Sequence, residues 1–205
     1  MKQEKAKSKK ISSIILILLV IVVLAFVMKA FYDLINKDKS DTADQRSNIQ
    51  KLLDKDLDNS YPATPREVVK VYTNIMKELY SGECSEQQIQ GLYAQMRKLY
   101  DEDLLKENTY EKQYEELQKE LDSYKKAKMK IVTIKLPELD DIERGYSKGK
   151  EQALVNVGIS MKEKSEWQQV TQQYVVRQDE DGRWKILGWQ KIETNMGEGA
   201  DDNSK

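Results

Sequence analysis

The chemistry open to this chain of 205 residues is limited to carboxylate, lysine and tyrosine side chains, because it contains no histidine. The absence of histidine excludes Ser-His-Asp and Cys-His catalysis, histidine-ligated zinc and imidazole pH switches. The sequence also has no glycine-rich phosphate loop and no paired-cysteine metal motif. We therefore predict no catalytic residue, no metal site and no cofactor.

The single cysteine, Cys84, lies in the turn-like stretch Ser-Gly-Glu-Cys-Ser. One cysteine cannot form an intramolecular disulfide, so the fold must be stabilised by packing alone. Without a histidine to activate the thiol, Cys84 is interpreted as unreactive.

A run of fifteen apolar residues, Ile14 to Met28, follows a lysine-rich amino terminus. Extended back to Ile11, the run would be about 27 Å long as a helix, close to the thickness of the hydrocarbon core of a bilayer. We predict a transmembrane helix over residues 11–31, preceded by a basic cytoplasmic tail over residues 1–10. A buried helix of a soluble domain is disfavoured because the run is apolar on all faces.

Lysine asymmetry across this run predicts its orientation. Five lysines and one glutamate precede it, whereas Lys29 and Lys37 follow it together with Asp33 and Asp38. The positive-inside rule then keeps the amino terminus in the cytoplasm and places the remainder outside the cell membrane, as a single-pass protein. The alternative is a cleaved signal peptide, since the uninterrupted apolar core is short enough for one.

The charge balance argues against nucleic acid as a partner. The chain carries a net charge of −1, and its first ten residues hold five lysines and one glutamate, so the rest carries −5. Nucleic-acid binding needs a clustered positive face. Beyond the first ten residues there is one basic cluster, and it lies where a helix is predicted to end. The end of a helix favours positive charge in any case. The cluster consists of Lys125, Lys126, Lys128 and Lys130.

Composition divides the exported part into a polar stalk over residues 32–60, a folded domain over 61–193 and a disordered tail over 194–205. A short helix can interrupt the stalk, because apolar residues recur there at helical spacing: Ile49, Leu52, Leu53 and Leu57. We favour packing of these residues on the domain over contact with lipid.

Three helices are predicted at the start of the domain. Thr64 and Glu67 form a capping pair around Pro65, which predicts a helix that ends near Tyr80. Ser85 and Gln88 form a second capping pair, and the helix that follows can extend to Leu104 and Leu105. Thr109 can cap the third.

The third helix carries a stripe of tyrosine and leucine at spacings of four and three: Tyr110, Tyr114, Leu117, Leu121 and Tyr124. The stripe covers only about two heptads, fewer than a coiled coil needs. We therefore favour packing on the domain's own sheet, with homo-oligomerisation through the stripe as the alternative.

After residue 126 the pattern alternates and predicts about four strands of an antiparallel sheet. They span Lys128 to Leu136, a second strand around Ala153 to Met161, Trp167 to Gln178, and Arg183 to Ile192. A loop is predicted over 137–150, and Asp-Gly at residues 181–182 predicts a hairpin between the last two strands.

Three helices followed by such a sheet, ending in Gly-Arg-Trp-Lys-Ile-Leu-Gly-Trp at residues 182–189, resemble the α+β cone of the nuclear transport factor 2-like superfamily. The segment Tyr-Pro-Ala-Thr-Pro-Arg-Glu-Val-Val at 61–69, with Trp-Lys-Ile-Leu-Gly-Trp at 184–189, also resembles a family of single-pass membrane proteins from anaerobic Gram-positive bacteria that has no assigned activity. The resemblance implies helices packed on a curved sheet around a concave cavity. Tyr72, Tyr174 and Trp184 are candidates to line it, but we favour the alternative that all three only pack in the core.

Enzymatic members of this superfamily, such as ketosteroid isomerases and polyketide cyclases, place an acid or base inside the apolar cavity. Here the strand carboxylates are predicted at strand ends and turns instead: Glu163, Glu166, Asp179 and Glu193. We therefore expect a membrane-anchored, non-catalytic interaction module that binds an envelope protein, peptide or wall component. The alternative is a small-molecule sensor or enzyme that uses the cavity.

Overall fold

A five-stranded antiparallel sheet packs against helices in the part of the chain that the computed structural model describes, residues 48–192. This architecture confirms the α+β class and the antiparallel sheet. The helices are α1 (48–53), α2 (Pro65–Leu79), α3 (Glu86–Arg97), α4 (Glu102–Glu107) and α5 (Tyr110–Ala127). The strands are β1 (Met129–Lys135), β2 (Glu143–Ser147), β3 (Lys150–Glu163), β4 (Glu166–Gln178) and β5 (Trp184–Ile192).

The strands are ordered β1-β3-β4-β5, and β2 pairs with β3 beside β1. One face of β3 carries the alternating apolar residues that the sequence predicts, and all of them are buried in the core between sheet and helices: Ala153, Val155, Val157, Ile159 and Met161. The other face of the sheet carries a ladder of amides, in which Gln190 donates to Gln173 and Gln173 donates to Asn156, each at 3.0 Å.

Strand β2 lies inside the segment predicted to be a loop, so the expectation of about four strands was one short. All five of its residues are exposed, and they show no apolar alternation from which a strand could be predicted. Backbone pairing with the first half of β3, from Glu143 opposite Leu154 to Ser147 opposite Lys150, forms the strand instead.

The first two predicted helix starts are confirmed. The Glu67 N–H donates to Thr64 Oγ1 at 3.2 Å, although the Glu67 carboxylate accepts from Ala63 N rather than from the Thr64 backbone. Ser85 and Gln88 cap each other reciprocally at the start of α3. Thr109 occupies the N-cap position of α5, but its side chain makes no capping hydrogen bond, which corrects the expectation for that residue.

The sequence predicts that α3 can extend to Leu104 and Leu105, but the helix ends at Arg97. The backbone leaves the helix to pair with β5: Asp101 N donates to Ile186 O, and Ile186 N donates to Leu99 O, both at 2.8 Å. Asp101 then caps α4 by accepting a hydrogen bond from Asp103 N at 2.9 Å.

Packed structure extends to the amino-terminal side of Tyr61. Ile49 and Leu57 are both buried in the core, so the favoured packing of this segment on the domain is confirmed. The Gln95 side chain fastens the segment by donating to Leu53 O at 2.8 Å and Lys55 O at 2.9 Å. The close approach of α1 to α3 is possible because residue 91 is glycine: a Cβ there would lie 2.6 Å from a Leu53 methyl.

The tyrosine and leucine stripe of α5 packs within the domain, as favoured. Leu117 is buried in the core, and the Tyr124 ring contacts the Tyr80 ring with centroids 4.6 Å apart. Tyr124 also donates to Met161 Sδ of β3 at 3.6 Å. Only the first member, Tyr110, is exposed among the five.

The predicted transmembrane helix, the first part of the predicted stalk and the carboxyl-terminal tail lie outside the described residues. Between residues 48 and 192, no helix is both long enough and apolar enough to cross a bilayer.

Candidate functional site

A cleft of about 210 Å³ lies between α2, α3, α5 and the β4–β5 part of the sheet. Five of its lining residues are aromatic: Tyr72, Tyr80, Tyr93, Tyr100 and Trp189. Two methionines and Leu117 supply further apolar surface, and two glutamines and two glutamates supply its polar groups. The cleft is thus an aromatic-walled site with a few polar groups, which is the usual composition of a ligand pocket.

An aromatic cluster, defined as Tyr72, Tyr100, Tyr174 and Trp189, forms one wall of the cleft and, with Tyr174, the layer directly behind it. Tyr72 is its centre, with ring centroids 5.5 Å from Tyr174, 5.9 Å from Tyr100 and 5.5 Å from Trp189. Such tilted and edge-on pairs contribute about 0.5–1.5 kcal/mol each beyond the area that they bury. These ring contacts therefore stabilise the wall.

The three candidate cavity-lining residues have different positions. Tyr72 lines the cleft. Tyr174 lies behind the wall, fully buried, and its hydroxyl donates to Gln172 Oε1 at 2.6 Å. Trp184 is buried away from the cleft, where its carbonyl accepts from the Tyr61 hydroxyl at 2.9 Å and its ring lies under Arg144.

Sequence reasoning missed Trp189 because of a β-bulge. Val175 pairs with Gly188, whereas Val176 pairs with Ile186, so Leu187 is an extra residue on β5. A bulge changes which face the following residues occupy. Strict alternation would place Trp189 on the opposite face from Trp184, but the bulge returns Trp189 to the helix-facing side, opposite Tyr174.

Burial fixes the protonation state of the tyrosines in and behind the wall. Desolvation is the largest cause that raises the pKa of Tyr72, Tyr80, Tyr93, Tyr100 and Tyr174 above the ordinary tyrosine value. Their hydroxyls are therefore neutral near pH 7. None of the five is suited to act as a base at that pH.

The two lining glutamates, Glu116 and Glu120, are exposed. They belong to α5 and flank Leu117, and Glu120 is close enough to Tyr80 to help raise the pKa of its hydroxyl. Their carboxylates therefore place negative charge at the solvent side of the cleft.

The acidic side chains that are buried within residues 48–192 lie elsewhere. Asp101 is 3% exposed and is bound by the Arg177 guanidinium, whose Nε donates to Asp101 Oδ2 at 2.9 Å. Glu78 is 6% exposed, its Oε2 has no hydrogen-bond partner, and desolvation raises its pKa. Neither residue lines the cleft.

The predicted strand carboxylates within the described residues lie at turns, as expected. Glu163 pairs with Glu166 where β3 turns into β4. Asp179 Oδ1 accepts from Asp181 N at 3.0 Å and Arg183 N at 2.8 Å, closing the β4–β5 hairpin. Glu193 lies outside the described residues.

Arg97 is a cation that hydrogen-bonds directly to the cleft lining. It donates to Gln113 Oε1 at 2.6 Å and to Asn108 O at 3.1 Å. Its guanidinium lies over the rings of Tyr93 and Tyr110, 5.8 and 5.6 Å from their centroids. Arg97 is therefore already occupied within the fold.

Cys84 is half-buried, and its thiol contacts the Glu78 carbonyl at 3.3 Å. Desolvation and the neighbouring glutamates raise the pKa of this thiol to about 11, so it stays protonated near neutral pH. In the described part of the chain, no group of three or more Cys, Asp or Glu side chains is placed to hold a metal ion.

A family model described as "Domain of unknown function (DUF6715)" matches residues 1–189. No curated protein matches the chain. Among solved structures, the chain is similar to TraH from the Gram-positive conjugative plasmid pIP501, solved in solution by NMR. The two share 17% sequence identity over 66% of this chain and 99% of TraH, with a TM-score of 0.34. Because the family match covers nearly the whole length, the chain belongs to the DUF6715 family.

Proposed function

We propose that this protein is a membrane-anchored, non-catalytic interaction module that displays its folded domain outside the cell. Its amino-terminal helix is held in the lipid bilayer, and the domain binds another envelope protein, a peptide or a wall component. The domain is proposed to be a cone of the nuclear transport factor 2-like kind. The helices packed on one face of an antiparallel sheet support this assignment.

The composition of the cleft is the observation that carries the non-catalytic assignment. An acid or base in an apolar cavity needs a buried ionisable group whose pKa lies near the working pH. Here the tyrosines are neutral and the two carboxylates, Glu116 and Glu120, face solvent. A site of this composition is suited to binding rather than to proton transfer.

The proposed topology can be tested with one reactive thiol at a time. Because Cys84 is the only cysteine, Cys84→Ser gives a cysteine-free background. Ser165→Cys, in the exposed turn between β3 and β4, is expected to react with a membrane-impermeant maleimide on intact cells. Ser8→Cys is the control and is expected to react only after lysis. Labelling of both positions only after lysis would contradict the proposed export.

Substitution of two exposed aromatic residues tests which surface binds the partner. Tyr146 of β2 is 81% exposed and Trp167 of β4 is 60% exposed, and they pair with opposite ends of β3. The full-length chain is used to capture partners from detergent-solubilised envelopes, alongside Tyr146→Ser and Trp167→Ser. A partner recovered by the wild type and lost with one variant supports the proposal. Equal recovery with all three chains counts against a specific surface at either end.

The second candidate function is small-molecule sensing through the cleft. The open volume of about 210 Å³ beside the aromatic cluster favours it, since a fully packed domain would leave no room for a ligand. Binding of a small ligand that changes partner capture would support sensing.

A further inference from the structure

The cleft has a distinct electrostatic character. No lysine or arginine is among the described residues that line it, whereas Glu116 and Glu120 both do. The chain as a whole holds almost equal numbers of basic and acidic residues, 34 and 35, so this one-sided composition is local. Arg97 adds one positive charge beside the cleft, where it donates to the lining residues Tyr93 and Gln113. Two carboxylates against one guanidinium leave a net negative charge, which disfavours an anionic ligand and attracts a cation.

The aromatic wall has the same preference. The face of an aromatic ring carries the negative part of its quadrupole, and a cation within about 6 Å of the ring centre is attracted to it, most strongly by tryptophan. Tyr72, Tyr100 and Trp189 all line the cleft. Tyr72 and Tyr100 are 3% and 4% exposed, whereas Trp189 is 37% exposed, so the open ring surface belongs mainly to Trp189. Several rings around one cavity form the arrangement that recognises alkylated ammonium groups.

Hydrogen bonding within the wall also favours such a ligand. Both glutamines of the lining have their amide oxygens engaged, Gln172 by the Tyr174 hydroxyl and Gln113 by Arg97. An alkylated ammonium ion carries positive charge but needs few or no hydrogen-bond acceptors, so it fits a site whose neutral acceptors are already occupied. The cleft volume of about 210 Å³ is below the roughly 300–1,000 Å³ of sites for drug-sized ligands, which selects a small ligand.

We propose that the cleft between α2, α3, α5 and the β4–β5 hairpin binds a small organic cation of the alkylammonium class. The charged group lies against Trp189 and Tyr72, and Glu116 and Glu120 face it from the solvent side. The inference goes beyond the membrane-anchored role and does not depend on it.

The first test compares two probes of nearly equal shape. Choline and its neutral carbon analogue 3,3-dimethyl-1-butanol are titrated calorimetrically into the full-length chain in a non-ionic detergent, with sodium chloride matching the ionic strength. We expect choline to bind at least about tenfold more tightly than the neutral analogue. Equal affinity for the two probes, or no binding of choline at millimolar concentration, would overturn the proposal.

Substitutions locate the binding. Trp189→Leu is expected to weaken choline binding about tenfold, and the double variant Glu116→Gln/Glu120→Gln about threefold at low salt. Trp167→Leu removes an exposed tryptophan outside the cleft and is the matched control, expected to bind as the wild type does. If Trp189→Leu does not fold, Trp189→Phe retains a ring and is expected to show a smaller loss. Choline binding that is lost with Trp167→Leu and kept with both cleft variants would place the site elsewhere.

Discussion

Trp189 of β5 lies directly opposite Tyr174 of β4, with ring centroids 6.3 Å apart, although strict alternation from Trp184 would place it on the other side of the sheet. The two rings lie on the same side because Leu187 is left out of the regular pairing, in a bulge. The aromatic wall of the cleft therefore depends on this bulge in the last strand.

Deletion of Leu187 is expected to remove the bulge and to leave Trp189 opposite Tyr174, because the shortened strand then alternates regularly from Ile186 through Gly188 to Trp189. In a Trp167→Phe background, quenching of tryptophan fluorescence by acrylamide should therefore stay close to that of the undeleted chain. Leu187→Gly keeps the bulge and is the comparison, expected to leave quenching unchanged as well. A marked increase of quenching in the deletion variant alone would show that Trp189 has left the wall and that the paired register is wrong.

Removal of the Asp101 carboxylate is expected to be far more damaging than removal of the Asp103 carboxylate, although Arg177 binds both. Asp101→Ala leaves the largely buried guanidinium without its main partner and α4 without its cap, at a cost of about 3–5 kcal/mol. Asp103 is exposed, so solvent screens its ion pair and Asp103→Ala should change stability little. Urea denaturation measures both changes, and similar losses for the two variants would contradict this assignment.

Stability is expected to fall in alkaline solution because folding raises the pKa of the wall tyrosines. A tyrosine whose folded pKa lies above its unfolded value of about 10 stabilises the fold fully below that pH, and the contribution is lost as pH rises towards the folded pKa. Each such tyrosine contributes a slope of up to about 1.4 kcal/mol per pH unit.

Urea denaturation between pH 8 and pH 11, with tyrosinate absorbance recorded in parallel, measures this slope. Tyr174→Phe should reduce the slope because it removes one buried hydroxyl. Tyr146→Phe, at an exposed position, should leave it unchanged. A flat dependence above pH 10 would mean that the wall tyrosines ionise without unfolding the domain.

The two helix starts at Ser85 and Thr109 form a natural comparison. Ser85→Ala removes a reciprocal cap and is expected to cost about 1 kcal/mol. Thr109→Ala should cost only a few tenths of a kcal/mol, since the Thr109 side chain makes no capping bond. Thermal or urea unfolding checks the difference, and equal losses would show that position rather than hydrogen bonding decides the effect.

Sequence predicts the elements whose physical cause is local. The Ser85 and Gln88 pair, the alternating residues of β3 and the Asp-Gly hairpin before β5 each determine structure within a few residues. Strand β2 cannot be predicted from its own residues, because pairing with β3 forms it and its side chains show no apolar alternation. The end of α3 cannot be predicted locally either, because Leu99 and Asp101 pair with Ile186, which is distant in sequence.

The cleft was only partly predictable for the same reason. Core packing was favoured for Tyr72, Tyr174 and Trp184, and all three are buried; Tyr72 also borders the cleft. Trp184 and Trp189 cannot be told apart by composition, and only the register of β4 against β5 decides which of them reaches the cleft.

The pairing of Leu99 and Asp101 with Ile186 has a consequence for solubility. An uncovered strand at the border of a sheet offers free backbone groups to which another molecule can add, and this is a common start of aggregation. Here a stretch of the same chain occupies those groups near the start of β5, so the domain shields part of its own border against self-association.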